Sequence, residues 1–307
     1  MSLDGATAST ATEEEPRRMS VRSGDVTLAV RQYGSSGDVV LLLHGGPGCP
    51  DYLEPVARHL GARFRAVTFD QRGVGASTGD GRFGLEHYVA DVEAVRLAMR
   101  ADHIRLFGHS WGGLLAQLYL REHPERVTSA FLSNPSVGLG EQWLRMQREV
   151  MRFNRRRSGP VRFAALGFWS LAARLPGRLG DVAGQRVLAQ VWRNYFPDPH
   201  AAPPADPTWL AGSRSVAARK TVAAVIGAPA STLERLGDAV TVPLMVVYGQ
   251  DDIYGSCVDD VEERFPGARH VRLEDCGHVP WIQAPERYFG LMDRFHSLNA
   301  SHGLSDA

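Results

Sequence analysis

Residues 108–113 read Gly108-His109-Ser110-Trp111-Gly112-Gly113, directly after the apolar run Ile104, Leu106 and Phe107 and directly before the helical pattern Leu114, Leu115, Leu118. A serine flanked by glycines at a strand-to-helix junction marks a nucleophile elbow, a sharp turn that pushes the hydroxyl out over a sheet. Covalent catalysis by Ser110 is therefore the first expectation. A second Gly-X-Ser-X-Gly match, Gly75-Ala76-Ser77-Thr78-Gly79, follows a loop and leads into polar, glycine-rich residues through Gly84 rather than into a helical stripe. That context assigns Ser77 to a turn.

Working outward from the elbow, Met19 to Arg22 and Val26 to Tyr33 read as an opening hairpin around Ser23-Gly24-Asp25. Short apolar runs at Val39 to Leu43, Phe64 to Phe69, Ile104 to Phe107 and Val127 to Leu132 have the character of buried strands. Helical stretches lie between them, near Asp51 to Leu60, Leu85 to Met99 and Leu114 to Glu122. This alternation predicts a mostly parallel central sheet flanked by helices. After Asn134-Pro135 the strand rhythm stops for about a hundred residues rich in Arg, Trp and Pro. It returns at Val242 to Tyr248, continues through Val258 to Phe265 and His270 to Leu273, and closes with a helix from Pro285 to Leu298. The predicted organisation is a disordered leader over 1–18, one interrupted core over 19–134 and 241–300, and an inserted helical cap over 135–240.

A serine hydroxyl is a weak nucleophile at neutral pH, so it needs a histidine base, and that histidine needs a carboxylate to fix its tautomer. In enzymes built on such an elbow the chain order is Ser, acid, His, with the last two on loops after late strands. Cys276-Gly277-His278-Val279-Pro280-Trp281 follows the final strand and supplies His278. Tyr248-Gly249-Gln250-Asp251-Asp252 ends the preceding one, and its spacing from Gly249 favours Asp252, with Asp251 as the alternative. The developing oxyanion needs two backbone amides. Trp111, first in the helix after the elbow, supplies one, and Gly46 in His44-Gly45-Gly46-Pro47-Gly48 supplies the other.

Composition narrows the function classes. Net charge is formally zero, with 34 basic and 34 acidic side chains, so the global balance points to neither a nucleic-acid nor a membrane partner. Lys220 is the only lysine. Cys49, Cys257 and Cys276 lie far apart, without metal-ligand spacing, and an odd count argues against a disulfide framework. A reducing cytoplasm is the expected compartment. Between Asn134 and Val240 fifteen basic residues face seven acidic ones, a surplus of eight. Arg145, Arg148, Arg152, Arg155, Arg156, Arg157 and Arg162 concentrate it, as a solvated arginine face or a surface for an acidic substrate or acidic carrier protein.

Three segments together resemble the prolyl aminopeptidase (proline iminopeptidase) family of α/β-hydrolases: His44-Gly45-Gly46-Pro47-Gly48, Asp70-Gln71-Arg72-Gly73-Val74-Gly75-Ala76-Ser77 and Gly108-His109-Ser110-Trp111-Gly112-Gly113. Gly277-His278-Val279-Pro280-Trp281 fits as well. The resemblance implies an α/β-hydrolase fold with an inserted helical cap. It also implies a cofactor-free, metal-free serine hydrolase that cleaves an N-terminal proline or other small residue from a small peptide. Asp70 and Arg72 would buttress the loop beside the site. Family members hold the substrate's amine with cap glutamates, commonly in a Trp-Glu stretch; here Trp169 precedes Ser170 and Trp192 precedes Arg193. Glu141, Glu149 and Glu234 are the candidate amine ligands, and Trp169 and Trp192 candidate pocket walls. Two other readings stand: an esterase, thioesterase or biosynthetic amide hydrolase with an altered cap, and a non-catalytic ligand receptor.

Overall fold

Runs such as Val39-Val40-Leu41-Leu42-Leu43 are apolar at every position because a central parallel strand is covered on both faces. In the computed structural model, which describes residues 15–79, 81–234 and 236–298, eight strands build one sheet. They are β1 (Arg17–Ser23), β2 (Val26–Tyr33), β3 (Val39–Leu43), β4 (Arg65–Phe69), β5 (Ile104–His109), β6 (Val127–Ser133), β7 (Leu244–Gly249) and β8 (Arg269–Leu273). The spatial order is β1-β2-β4-β3-β5-β6-β7-β8. Only β2 runs against the rest: it pairs antiparallel with β1 and β4, and every later pairing is parallel.

Alternate residues of each strand enter two separate cores. Leu41, Leu43, Leu106 and Leu132 pack on one face under α2 (Leu85–Ala98) and α3 (Trp111–Glu122). Val40, Leu42, Phe107 and Phe131 pack on the other, against α1 (Glu54–Gly61) and the C-terminal helix. Shifting any middle strand by one residue would exchange the two sets, so burial on both faces fixes the register. The expected leader falls mostly on residues 1–14, outside the described residues. Its predicted end at residue 18 is corrected by the structure: β1 starts at Arg17, because Arg17 and Arg18 continue the ladder opposite Gln32 and Arg31. Their exposed side chains leave no apolar pattern to read.

Between β6 and β7 the described residues are helical or irregular. α4 (Gly140–Ala172) is broken at Gly159, whose φ of 68° and ψ of 168° precede Pro160. It packs along α5 (Gly177–Asn194), and α7 (Ser215–Gly227) lies against both; the short α6 (Pro207–Gly212) and α8 (Leu236–Ala239) complete the cap. After β7 come α9 (Asp259–Arg264), then α10 (Pro280–Gln283) and α11 (Pro285–Leu298) behind β8. Among the described residues no helix is long and apolar enough to cross a membrane.

Candidate active site

The elbow is built by close approach. Ser110 has φ 55° and ψ −123°, a backbone state that costs an L-residue about 1–3 kcal/mol and persists only where its surroundings enforce it. At Gly112 a Cβ would lie 2.0 Å from the Leu43 carbonyl oxygen, so only glycine lets α3 start this close to β3. The Ser110 carbonyl accepts hydrogen bonds from Gly113 N (2.9 Å) and Ser136 N (2.9 Å), pinning the turn from both sides. The side chain is left at the C-terminal edge of the sheet, where α/β folds place their ligands.

Two late loops converge on it. His278 Nε2 lies 3.1 Å from Ser110 Oγ, and His278 Nδ1 lies 2.7 Å from Asp252 Oδ2. All three residues are buried. Asp252 is held by two further donors, Asn134 Nδ2 to Oδ2 at 2.6 Å and the Tyr254 backbone N–H to Oδ1 at 2.8 Å. Asp251 points elsewhere: its half-exposed carboxylate is 3.8 Å from the Arg157 guanidinium. The structure thus joins Ser110, His278 and Asp252 and leaves Asp251 outside.

The two expected oxyanion residues lie in the two segments that adjoin Ser110. Trp111 is the first residue of α3, where a backbone N–H has no intrahelical acceptor and faces outward. Its indole donates to Gln71 Oε1 at 2.8 Å, and Gln71 Nε2 donates to the His44 carbonyl at 2.8 Å, so the elbow and the glycine loop are braced together. Gly46 has φ 61°, and a Cβ on Gly45 would come within 2.6 Å of Ser110 Cβ. Asp70 and Arg72 brace the neighbourhood through different partners: Asp70 pairs with Arg31 at 2.8 Å, and Arg72 donates to both carboxylate oxygens of Asp91.

Two residues outside the sequence reading belong to this site. Tyr254 Oη is 3.0 Å from Ser110 Oγ and 2.8 Å from Ser136 Oγ, and its ring stands edge-on to His278. With the Ser110 proton directed at His278, the consistent order is Ser136 donating to Tyr254 and Tyr254 donating to Ser110. Burial, then the Asp252 charge, raises the phenol pKa, so it stays a donor. His109, the variable residue of the elbow, takes a bond from Tyr52 Oη at Nδ1 (2.6 Å) and donates from Nε2 to the His278 carbonyl (2.8 Å). Burial pushes its pKa well below the ordinary histidine value, keeping it neutral for that double role.

The cap residues are less closely gathered. Trp192 lines a cleft of about 1060 Å³ with Tyr52, Trp209 and Trp281, beside the His278 loop. Trp169 instead packs on Phe168 beneath Arg186. Glu141 and Glu234 are exposed, and Glu149 is paired with Arg152. None of the three carboxylates is hydrogen bonded to Ser110, His278 or Asp252. Part of the arginine surplus is likewise engaged: Arg157 donates to the Phe196 carbonyl and Arg145 pairs with Asp260. Among the described residues no group of His, Cys, Asp and Glu side chains has metal-binding geometry.

A family model described as alpha/beta hydrolase fold matches residues 38–285. The chain belongs to that family. This α/β-hydrolase is 40% identical over 101 residues to a proline iminopeptidase of Xylella fastidiosa (strain 9a5c), a match spanning 31% of the chain and about a third (32%) of that relative's length. Along most of its length, 82% of the chain and 88% of the relative, the α/β-hydrolase is 27% identical to a proline iminopeptidase of Lactobacillus delbrueckii subsp. bulgaricus. In three dimensions it is similar to the crystal structure of VinJ, with a TM-score of 0.70 over 93% of this chain and all (100%) of that one, at 21% identity. That last likeness concerns the fold.

Proposed function

We propose that this α/β-hydrolase hydrolyses an amide or ester through an acyl-enzyme formed on Ser110. The observation that carries the reading is the hydrogen-bonded line from Asp252 through His278 to Ser110 Oγ. His278 takes the Ser110 proton as Oγ attacks the carbonyl carbon, and Asp252 stabilises the imidazolium without itself being protonated. The amides of Gly46 and Trp111 hold the oxyanion, helped by the positive end of α3. The tetrahedral intermediate collapses with cleavage of the bond to the leaving group, which takes the proton from His278. Water, deprotonated by the same imidazole, then releases the acid and restores Ser110.

Likeness to the proline iminopeptidases supports a substrate with a small N-terminal residue, proline or similar, on the acyl side. A specific observation favours a second reading, an ester, thioester or amide of an uncharged acyl group: Glu141 and Glu234 are exposed and Glu149 is paired with Arg152, so none of the three is a buried, unpaired carboxylate awaiting an ammonium. Proline and alanine naphthylamides assayed beside short acyl esters and thioesters separate the two. Turnover of the naphthylamides supports the aminopeptidase reading, and turnover of esters alone supports the second. Ser110→Ala is expected to abolish both turnover and labelling by a fluorophosphonate; retained labelling would overturn the nucleophile assignment.

A further inference from the structure

We propose that the cap holds an acyl-chain pocket, a cavity of about 520 Å³ between the glycine loop, α5 and α7 that receives an uncharged apolar chain attached to the carbonyl carbon under attack. The proposal rests on the reading of Ser110 as nucleophile and specifies what it is acylated with. The size lies within the range of small-molecule sites, and its walls are mainly apolar, with Val187 and Leu188 from α5 facing Val222 and Ile226 from α7.

The charged groups in its walls are engaged. Asp181 Oδ1 accepts from both the backbone N–H and the hydroxyl of Ser215, each at 2.8 Å. Arg219 donates to the Ala173 carbonyl, and Arg214 donates to the carbonyls of Ala211 and Ser213. Cys49 is buried, and burial pushes its thiol up to about 12, so it presents a neutral wall. The rest of the lining, Pro47, Ala173, Ala218 and Ala223 beside the four aliphatic residues above, offers a hydrocarbon contact along most of the wall.

Location selects the acyl side. Pro47, Gly48 and Cys49 border the cavity, and they directly follow Gly46, whose Cβ position would lie 2.7 Å from Cys49 Sγ. The leaving group must sit within reach of His278 Nε2, and Trp281, three residues after that histidine, borders the aromatic cleft. The chain on the other side of the carbonyl therefore points toward the glycine loop and the cap cavity. Ile226, partly exposed, sits where this cavity meets the surface.

Gly184 is the second, independent sign. It lies mid-helix in α5 and lines the cavity, yet a Cβ there would meet nothing closer than Ser215 Cβ at 3.5 Å, an ordinary contact. Gly180, one turn earlier, differs, since its Cβ would fall 2.0 Å from the Leu175 carbonyl oxygen. Glycine inside a helix is destabilising relative to any ordinary side chain. At Gly180 the backbone demands it; at Gly184 what glycine preserves is empty space.

The test compares methyl and octyl phosphonofluoridates, in which Ser110 Oγ forms the P–O bond, fluoride departs and His278 takes the serine proton. The alkyl substituent on phosphorus then stands where an acyl chain would. The full-length enzyme is expected to react at least about ten times faster with the octyl reagent. Gly184→Leu, which places a side chain in the cavity and favours the helix, should lose that preference while its rate with the methyl reagent stays within about twofold. Circular dichroism checks that the variant is folded. Equal rates with both reagents in the unmodified enzyme, or an undiminished preference in Gly184→Leu, would overturn the pocket. Reaction with neither reagent would instead remove Ser110 as nucleophile, and the pocket assignment with it.

Discussion

Replacing Asp252 by Asn tests the triad more sharply than deleting any member of it, because the shape is kept and only hydrogen-bond polarity changes. Asp252 accepts three donors: His278 Nδ1 at 2.7 Å and Asn134 Nδ2 at 2.6 Å on one oxygen, and Tyr254 N at 2.8 Å on the other. An amide nitrogen in place of the first oxygen would face two N–H groups, and in place of the second it would face the Tyr254 N–H. Either orientation leaves buried donors opposed, and the first also drives His278 into the tautomer that carries its proton on Nε2, unable to accept from Ser110. In serine proteases the equivalent change costs about 10,000-fold in turnover, or about 5 kcal/mol of transition-state stabilisation. Asp251→Asn alters only a half-exposed pair with Arg157 at 3.8 Å, a loss expected to stay below about 1 kcal/mol. Rates of inactivation by a short phosphonofluoridate measure both variants without knowledge of the natural substrate. If Asp252→Asn kept more than about a tenth of the unmodified rate, or Asp251→Asn proved the more damaging, the assignment of the acid would be wrong.

Tyr254→Phe removes one hydroxyl from beside Ser110 and keeps the ring against His278. It should lower kcat about fivefold with little change in KM, the value of a single neutral hydrogen bond; unchanged kcat would show that the contact is only packing. His296, buried between Phe64 and Phe295 with no hydrogen-bond partner for either ring nitrogen among the described residues, is held at about 3 by burial and by the nearby Arg105 and Arg63 charges. The unfolded chain takes up that proton near pH 6.5 and the native state does not, so stability falls as pH drops from about 6.5 to about 3 and levels off below. The loss at pH 5 amounts to about 2 kcal/mol. Urea unfolding at pH 8 and pH 5 should show His296→Leu escaping that share, and an equal loss in both proteins would contradict it. The buried His109 acts in the same direction, which is why the two proteins are compared with each other.

Much of the fold was legible because its signal is local. A central parallel strand covered on both faces is apolar along its length, as β3 is, and shorter apolar runs, Leu106-Phe107 in β5 and Ala130-Phe131-Leu132 in β6, mark its neighbours; the elbow is visible because glycine is forced at Gly112 by the nearby Leu43 carbonyl. The choice of Asp252 over Asp251 had only its spacing from Gly249 as a sequence signal. It turns on Asn134, 118 residues away in the chain, which reaches one carboxylate and not the other. Tyr254 was illegible for a similar reason: only the turn after Asp252 brings its hydroxyl back to Ser110. In the cap, tryptophans and arginines carry no periodic or positional cue, so Trp192 in the aromatic cleft and Trp169 beneath Arg186 look alike in the sequence.

One peptide carbonyl limits how this molecule can open. Tyr195, immediately after α5, accepts from the backbone N–H of His278 at 3.0 Å and from Gln283 Nε2 at 2.8 Å. A wholesale swing of the roof would tear the base from its seat before any reactant arrived. The end of α5 and the loop that carries the base are thus tied through one carbonyl, gatepost to proton carrier. Changes that loosen this attachment should slow chemistry and hasten entry together.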